Sequence, residues 1–314
     1  MVRQLLEWMS PSGARARLST LIFHRVFSQP DPLFPDETDA RQFSEVCGWL
    51  KSWFNVLPLD QAVSLLKAGS LPARAACITF DDGYADNFQV AMPILQQHGL
   101  PATFFIATGF LDGGRMWNDT IIEAVRDTTE PLLDLSSLNL GKHPVSTLAE
   151  RRLAIGALID QIKYRPAAQR IGVTEEIANI AQVQPPQDLM MTSSQVKSMR
   201  QSGMQIGAHT VSHPILAQLT DDQAKDEISK SKTFLERLLD ERVGLFAYPN
   251  GKPGEDYLPR TVEVVRSLGF DAAVSTQWGV SKQGDDLMQL KRFTPWDRSR
   301  LRFGIRMLRN LREG

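Results

Sequence analysis

Short apolar runs alternate with longer amphipathic segments along most of the chain. Seven of the runs are rich in β-branched and aromatic residues, which favour extended strands. They cover residues 19–26, 75–80, 101–108, 204–210, 243–249, 270–276 and 287–293. Because most of them are separated by segments with helical spacing, the order predicts an α/β fold with a parallel sheet. Seven strands without an edge signal favour a barrel over an open sheet.

Two of the predicted helices carry clear start signals. Thr192 with Gln195, and Thr220 with Gln223, have the spacing of a capping box, in which the two side chains bond each other's backbone N–H groups. The first of these helices runs into Gly203, a residue type that commonly ends helices. We therefore expect helices to begin directly after Thr192 and Thr220.

The strand rhythm stops in the middle of the chain. Residues from about 109 to 191 have mainly helical spacing, interrupted by loop signals such as "LDGGRMWND" and "AQVQPPQD". No internal repeat is visible. We expect one domain over residues 1–314, with a helical insertion at about 109–191 that lies over one mouth of the barrel.

Composition narrows the class of protein. The 314 residues include 35 Lys and Arg and 36 Asp and Glu, so no nucleic-acid-binding surface is indicated. Cys47 and Cys77 lie in a helical and a strand pattern and are predicted to be buried thiols. The first 20 residues lack the apolar core of a secretion signal, and no run is long enough to span a bilayer, so a cytoplasmic location is expected.

Polar residues with chemical potential follow several predicted strands. Asp81 and Asp82 come directly after "CITF", His209 ends "MQIGA", Tyr248 ends "GLFA", and His24 lies late in "LIFHRV". In a parallel α/β barrel, the loops that follow the strands open on one face. The sequence therefore predicts that these side chains meet at one rim.

The motif "GAHTVSHP" adds a second histidine, His213, four residues after His209. Two histidines at this spacing can bind one divalent cation, and "DDG" can supply an oxygen ligand. One of Asp81 and Asp82 would then bind the ion, while the other stays free as a general base. This predicts a three-ligand metal site with a position left for water.

Four motifs together resemble those of the polysaccharide deacetylases, the NodB-homology group or carbohydrate esterase family 4. They are "TFDDGYADNF", "PATFFIATGF", "GAHTVSHPIL" and "FAYPNG", and the likeness runs from about His24 to about Arg292. "FHRV" and "FAYPNG" resemble the exopolysaccharide-type subgroup. The resemblance implies a distorted (β/α)7 barrel and a metal-dependent hydrolase. Its expected reaction is the removal of N-acetyl groups from N-acetylhexosamine units of a polysaccharide or its lipid-linked precursor.

The resemblance also assigns roles to individual residues. Asp82, His209 and His213 would hold the metal, Asp81 would be the general base, and the backbone N–H of Asn250 would stabilise the oxyanion. The implied cofactor is one divalent ion. We expect zinc, although cobalt, nickel and iron also suit imidazole and carboxylate ligands.

Two of the departures from the family pattern bear on catalysis. Ala247 stands where the family commonly has an arginine that supports the catalytic aspartate, and no histidine follows His213 to serve as the usual general acid. We expect His24 to be the candidate acid and Arg25 or Arg292 to be the partner of Asp81. Ordinary structural roles for these three residues are equally compatible with the sequence.

Tyr248, in "FAYPNG", is a candidate supporting residue of the same site.

The last residues form a basic segment, with six arginines between Arg298 and Arg312. Helical spacing of Leu301, Ile305, Leu308 and Leu311 predicts a basic amphipathic helix over about 298–314. Packing of this helix on the barrel is the preferred interpretation. The alternative is peripheral attachment to an anionic membrane, which would place the protein at its inner face.

Two other functions stay open at this point. The same barrel could hydrolyse a small non-peptide amide, or it could be a glycan-binding protein with weakened catalysis because of Ala247 and the missing late histidine. In each case an N-acetylated glycan or a small amide, rather than nucleic acid, is the expected partner.

Overall fold

The structure, a computed structural model, describes residues 2–313. Its strands are β1 (Arg17–Phe23), β2 (Asn55–Val56), β3 (Ala75–Phe80), β4 (Thr103–Ile106), β5 (Leu132–Asp134), β6 (Lys142–Pro144), β7 (Gln205–Ala208), β8 (Leu245–Ala247), β9 (Ala272–Val274) and β10 (Ser281–Lys282). Its helices are α1 (Val2–Met9), α2 (Ala40–Trp53), α3 (Leu59–Ala68), α4 (Met92–His98), α5 (Trp117–Asp127), α6 (Leu148–Ile162), α7 (Ala167–Ile180), α8 (Ser193–Gln201), α9 (Asp221–Leu239), α10 (Pro259–Ser267) and α11 (Arg300–Glu313).

The main sheet has the strand order β10-β1-β3-β4-β7-β8-β9, and β2 pairs with the start of β3. All neighbours from β1 to β9 are parallel, whereas β10 runs antiparallel to β1. Each of the first six predicted strands overlaps one of these parallel strands, although β1 begins two residues before its predicted run. β3 is buried along its whole length, as expected for a strand covered on both faces.

An extended segment over residues 290–293 joins the two ends of the parallel sheet. Leu290 bridges Val274 of β9, and Phe293 bridges Leu21 of β1, both in parallel orientation. The segment lies within the seventh predicted strand, whose first part is instead a 3₁₀ turn at Leu287–Gln289. The predicted α/β barrel is therefore confirmed, and its closing strand is short and irregular.

One apolar cluster links the central strands to α3. It includes Cys77, Phe105, Ala247 and Leu290, together with Leu59 at the start of α3. The Leu59 N–H donates to the side chain of Gln205, the first residue of β7, over 2.9 Å. Helix α3 thus covers the amino-terminal ends of the strands and leaves their carboxyl-terminal ends to the site.

The segment predicted as an insertion contains α5, α6, α7 and a hairpin of β5 and β6. These elements share their own apolar cluster, which includes Val125, Leu133, Leu158, Ile162 and Ile177. The sequence pattern did not predict the hairpin, because its strands are three residues long and largely exposed. Separate packing of this kind lets the insertion stand above the strand ends as a preformed wall.

Both predicted capping boxes are formed. The Thr192 side chain accepts from the Gln195 N–H, and the Gln195 side chain accepts from the Thr192 N–H. Thr220 and Gln223 make the same pair of bonds at the start of α9. Helices α8 and α9 begin directly after these threonines, as predicted.

The carboxyl-terminal helix α11 packs on α1 and on Trp53, as the preferred interpretation expected, but its buried face is only partly the one predicted. Phe303 and Met307 are completely buried, whereas Leu301 is 67 % and Ile305 50 % exposed. The predicted stripe was therefore wrong for Leu301 and Ile305, whereas Leu311 is buried and Leu308 packs on the core as predicted. The reason is that aromatic and thioether side chains at the same spacing form the buried face. Within residues 2–313, no helix is both long and apolar enough to cross a bilayer.

Candidate metal centre and active site

Asp82, His209 and His213 come together at the carboxyl-terminal ends of β3 and β7. One ligand atom from each side chain lies within 4.8 Å of the others. Asp82 has φ of 75° and His213 has φ of 51°, so both residues adopt the left-handed conformation. Asp82 lies two residues after the end of β3, and His213 lies five residues after the end of β7. The Thr210 hydroxyl accepts from the His213 N–H over 3.1 Å and so fixes the turn that brings the second imidazole back.

One oxygen of the Asp82 carboxylate faces both imidazoles. Its Oδ1 lies 3.5 Å from His209 Nε2 and 3.4 Å from His213 Nε2. Among the described residues this buried oxygen has no hydrogen-bond partner. Buried polar atoms are nearly always satisfied, so a shared divalent cation fits this atom and the two nitrogens. Two imidazoles and one carboxylate are also a ligand set typical of catalytic metal sites.

A hydrogen bond from the backbone orients His209. Its Nδ1 lies 2.7 Å from the carbonyl oxygen of Ala247, and because a carbonyl can only accept, Nδ1 carries the proton. In the neutral ring the lone pair then lies on Nε2, which faces Asp82. Burial lowers the pKa of His213 to about 4 although the Asp82 charge opposes this change, so His213 is neutral at pH 7.

Asp81 points to a different partner, the guanidinium of Arg292. Nη1 donates to Asp81 Oδ1 and Nη2 to Oδ2, each over 2.7 Å. Arg292 is 1 % exposed and also donates to the Ser275 carbonyl and the Thr79 hydroxyl. Burial alone would raise the pKa of Asp81, but Arg292 and then His209 bring it below its usual value. Asp81 is thus ionised and held in one orientation.

The second arginine considered as a partner of Asp81 lies elsewhere. The Arg25 Nε donates to Asp86 over 2.8 Å, and its guanidinium lies over the Tyr84 ring at 4.5 Å from the centroid. Of the two alternatives, Arg292 contacts Asp81 and Arg25 does not. Asp86 lies beyond the end of β3, next to the loop that follows β1, where it also accepts from the Val26 N–H. It is therefore close enough to pair with Arg25.

The remaining predicted site residues divide into two groups. His24 and Asn250 line the same cavity as Asp81 and Asp82, and Asn250 has φ of 57°. Tyr248 is fully buried, stacks on Tyr257 with ring centroids 3.8 Å apart, and donates to the Met288 carbonyl. Tyr248 is not among the described residues that line the cavity, so its supporting role is a packing role.

The helical insertion supplies much of the cavity wall. The cavity has a volume of about 270 Å³, close to the lower end of the range for small-molecule sites. Its walls from the insertion are Met116, Trp117, Asn118, Ile159, Lys163 and Arg170. Sequence reasoning missed these residues, since no local pattern shows which side of an inserted helix faces the barrel.

A buried polar cluster behind this wall was also missed. The Tyr84 hydroxyl donates to Asp119 Oδ1 over 3.2 Å, and Asp119 is 2 % exposed. Burial raises the pKa of Asp119 to about 7, with the Arg25 charge opposing and the Asp82 charge adding to the rise. The signal that could have found it is the acidic residue in the first turn of α5, directly after a loop.

Comparison with protein families gives one match that spans more than half of the chain. The family model described as "Polysaccharide deacetylase" matches residues 68–133 and 166–273. The matched segments contain the carboxylates of "DDG", both histidines of "HTVSH" and the strand end at "YPNG".

Curated proteins with related sequences include YxkH of Bacillus subtilis (strain 168), which is named for the same family. It is 22 % identical over 279 residues, which are 88 % of this chain and 71 % of that protein. The poly-β-1,6-N-acetyl-D-glucosamine N-deacetylase of Staphylococcus aureus (strain N315) is 39 % identical over 69 residues. That alignment covers 22 % of this chain and 24 % of the staphylococcal protein.

Three solved structures share the fold over nearly the whole chain. IcaB from Ammonifex degensii has a TM-score of 0.63 at 19 % identity, covering 95 % of this chain and 98 % of its own. The Streptococcus pyogenes deacetylase PplD has 0.59 at 20 %, covering 89 % and 92 %. The BpsB deacetylase domain from Bordetella bronchiseptica has 0.57 at 16 %, covering 91 % and 97 %. At these identities the likeness concerns the fold.

Proposed function

Because the chain belongs to the polysaccharide deacetylase family, we propose that it removes N-acetyl groups from N-acetylhexosamine units of a polysaccharide or of its lipid-linked precursor. The main support for the proposal is that the two carboxylates of "DDG" have different partners. Arg292 donates two hydrogen bonds to Asp81, while Asp82 faces two imidazoles. The name of the staphylococcal relative supports a β-1,6-linked N-acetylglucosamine polymer as the first substrate to test.

Asp82, His209 and His213 would hold the divalent ion that enzymes of this family use. When bound, the ion supplies Lewis acidity to the amide carbonyl and makes the attacking water more acidic. We propose zinc, because two imidazoles and one carboxylate with an open position suit it well. Cobalt, nickel and iron accept the same ligands and are the alternatives that metal analysis would distinguish.

Asp81 is the proposed general base. Its two hydrogen bonds from Arg292 keep it ionised and leave its remaining lone pairs for a water proton. As the water oxygen bonds to the acetyl carbon, the carbonyl oxygen gains charge, and the backbone N–H of Asn250 would donate to it. Cleavage of the C–N bond then requires a proton for the leaving amine, and His24, which lines the cavity, would supply it.

The alternative of a weakened glycan-binding protein loses one of its two motivations. It rested partly on Ala247, which lacks the guanidinium that supports the catalytic aspartate in the family pattern. In this chain a guanidinium reaches Asp81 from Arg292, on the segment that closes the barrel, and Ala247 contributes its carbonyl oxygen to His209 instead. A supported base therefore favours turnover over binding alone.

Acetate release tests the proposed reaction. Wild-type protein loaded with zinc should release acetate from poly-β-1,6-N-acetylglucosamine or chitooligosaccharides, and Asp81→Asn should lower kcat at least about 100-fold. His209→Ala should abolish activity together with metal binding. His143→Ala is the matched control, since His143 contacts the Leu140 carbonyl within the insertion. Undiminished acetate release by Asp81→Asn would contradict the assignment of the base.

We further propose that the protein is cytoplasmic and attaches peripherally to the inner face of the membrane through an exposed surface formed by α1 and α11. Trp8 is 81 % exposed and lines a recess with Arg312, while Ile305 lines another with three arginines. We call this surface the terminal patch; its members are Trp8, Leu301, Ile305, Arg302, Arg309 and Arg312. Apolar and basic side chains on one face suit a bilayer with anionic headgroups.

Sedimentation with liposomes tests this attachment. Wild type should bind vesicles that contain phosphatidylglycerol at low salt and dissociate as salt rises. Leu301→Ser combined with Ile305→Ser should weaken binding without unfolding α11, because both side chains are exposed. Leu153→Ser on α6 removes an equally exposed leucine elsewhere and is the control. Binding that is equal in all three proteins, or absent in wild type, would refute the attachment.

A further inference from the structure

The cavity wall contains a buried arginine that has no counter-charge among the described residues. Arg170, in the first turns of α7, is 5 % exposed and lines the same cavity as Asp81 and Asp82. Its Nε is buried and has no hydrogen-bond partner among the described residues. Within that part of the chain its side chain makes one hydrogen bond, from Nη1 to the Lys163 carbonyl over 3.3 Å. A guanidinium has five N–H donors, so most of its donor capacity is unused.

No carboxylate of the described residues lies within ion-pair distance of Arg170. On the same helix, Glu175 forms an ion pair with Arg115 instead, with 2.8 Å between Glu175 Oε1 and Arg115 Nη2. The two carboxylates that share the cavity are also engaged, Asp81 with Arg292 and Asp82 with the imidazoles. Burial of a charged group without a partner is costly, so this arrangement indicates a missing anion.

Two neighbouring side chains, Lys163 and Trp117, form a binding site together with Arg170. Lys163, at the end of α6, lines the same cavity and brings a second positive charge to it. The Trp117 ring lies 5.2 Å from the Arg170 guanidinium carbon and holds the guanidinium plane by a cation–π contact. The aromatic ring contacts the face of the guanidinium and leaves its N–H edge available. That edge can bind one carboxylate or phosphate through two parallel hydrogen bonds.

We propose that Arg170, Lys163 and Trp117 form a subsite for an anionic group of the glycan, and that the natural substrate is an acidic polysaccharide in which the N-acetylhexosamine is linked to a sugar carrying a carboxylate or a phosphate. The proposal rests on the proposed deacetylase function for its substrate class. A neutral hexosamine polymer offers no partner for two cations in a cavity of this size, whereas an acidic neighbour sugar satisfies them.

Binding in the absence of catalysis tests the subsite directly. Metal-free protein, obtained by chelation, is titrated calorimetrically with a hyaluronan tetrasaccharide, in which glucuronate alternates with N-acetylglucosamine. The same tetrasaccharide with its carboxyl groups reduced to alcohols is the neutral probe. Phosphorylated and unphosphorylated chitotetraose form the phosphate arm. Wild type should bind one anionic probe at least about tenfold more tightly than its neutral counterpart, because charge-assisted hydrogen bonds are involved.

Variants assign the effect to the subsite. Arg170→Gln should bring the anionic and neutral affinities to within about twofold of each other, and Lys163→Gln should reduce the ratio partially. Arg170→Lys keeps the charge and should retain part of the preference. Arg242→Gln removes a surface arginine that pairs with Asp271 and should leave the ratio unchanged. A thermal melt of each variant shows whether it is folded; Arg170→Gln should melt no lower than wild type, since it removes an unpaired buried charge.

The outcomes separate this inference from the proposed function. A preference for the glucuronate probe identifies a carboxylated sugar, and a preference for the phosphate probe a phosphorylated one. Anion binding that depends on Arg170 without acetate release from any glycan would support the subsite and refute the deacetylase proposal. Acetate release from neutral glycans with no anion preference, or a preference unchanged in Arg170→Gln, would refute the subsite alone.

Discussion

Two adjacent carboxylates at the end of β3 have different partners, and this difference explains how both can be buried and ionised. Asp81 receives two hydrogen bonds from Arg292, and Asp82 turns its Oδ1 to the imidazoles of His209 and His213. The left-handed backbone at Asp82, with φ of 75°, separates the directions of the two side chains. One residue can therefore serve a metal while its neighbour serves a proton.

Removal of Arg292 is expected to destabilise the fold and to weaken the base. In Arg292→Met the buried Asp81 loses its counter-charge, so we expect the free energy of unfolding at pH 7 to fall by about 3–5 kcal/mol. Without the guanidinium the pKa of Asp81 rises, and the acid limb of the kcat/KM profile should move up by about 1–3 pH units. Urea denaturation and a pH–rate profile measure the two effects.

The control for this change is Arg242→Met, which breaks an exposed ion pair with Asp271 and should cost at most about 1 kcal/mol. An acid limb that stays in place in Arg292→Met would show that the guanidinium does not set the protonation of the base.

Asp119 predicts a specific pH dependence of stability. Its pKa rises from the ordinary 3.8 to about 7 in the folded chain. Between these values the unfolded chain loses the proton while the folded chain keeps it, so the contribution of Asp119 to stability falls as pH rises from about 4 to 7. Asp119→Asn has no such loss and should gain on wild type over that range, by on the order of 4 kcal/mol at pH 7.

Chemical denaturation of chelated protein at several pH values measures this gain, since a bound cation would offset the charge of Asp82. Asp160→Asn on α6 changes an exposed carboxylate and should show no comparable trend. A difference between Asp119→Asn and wild type that is constant from pH 4 to 7 would contradict the prediction.

At the residue scale, the sequence predicted those parts of the site whose residues are close together along the chain. Asp81 and Asp82 are adjacent, and His209 and His213 are four residues apart, so their grouping follows from local geometry. The choice of Arg292 over Arg25 depends on contacts 211 and 61 residues away along the chain, which local patterns do not contain. The stacking of Tyr248 on Tyr257 is likewise absent from local patterns, because it depends on tertiary packing.

Helix α11 shows how an element is held by a few side chains. Phe303 and Met307 are fully buried, and Phe303 lies 6.2 Å from the stacked ring of Trp53. Gly304 lies against Trp53, whose ring atoms would be 3.2 Å from an added Cβ. The helix is therefore fixed by one tightly packed face, and its other face remains available for contacts outside the chain.

Substitutions on the two faces should have very different costs. Phe303→Ala removes a buried aromatic side chain and should lower the free energy of unfolding by about 3–5 kcal/mol. Leu301→Ala, on the exposed face of the same helix, should change it by less than about 0.5 kcal/mol. Urea denaturation of both variants provides the comparison. Equal costs would mean that the helix is not packed as described.

At the element scale, pattern reasoning succeeded for strands and helix starts. Buried parallel strands such as β3 are continuous apolar runs, and capping boxes such as Thr220 with Gln223 are local by nature. It failed for Leu301 and Ile305 of α11, because these side chains are as apolar as the residues that are buried. Only the position of Trp53 and α1 decides which of two apolar stripes is covered.

For the molecule as a whole, the metal should act as a ligand that stabilises the native state. A chelated sample should gain stability as zinc is added, by about 2.7 kcal/mol when free zinc reaches 100 times its Kd. His213→Ala should lose this gain because one of three ligands is missing. Thermal melts at increasing zinc concentration measure it, and bound metal is counted in parallel. His98→Ala, which removes a contact with Ser44, is the control.

A melting temperature of wild type that does not respond to any of zinc, cobalt, nickel or iron would contradict the metal centre. A response that persists in His213→Ala would place the ion elsewhere.

Because the closing segment of the barrel lies late in the chain, the site is completed late during synthesis. Arg292 follows Asp81 by 211 residues, so at ordinary elongation rates it leaves the ribosome roughly 10–40 s later. A nascent chain that ends after His213 already contains all three candidate metal ligands, yet its Asp81 has no guanidinium to hold it. Hydrolytic competence would therefore arise only when residues 290–293 join β9 to β1.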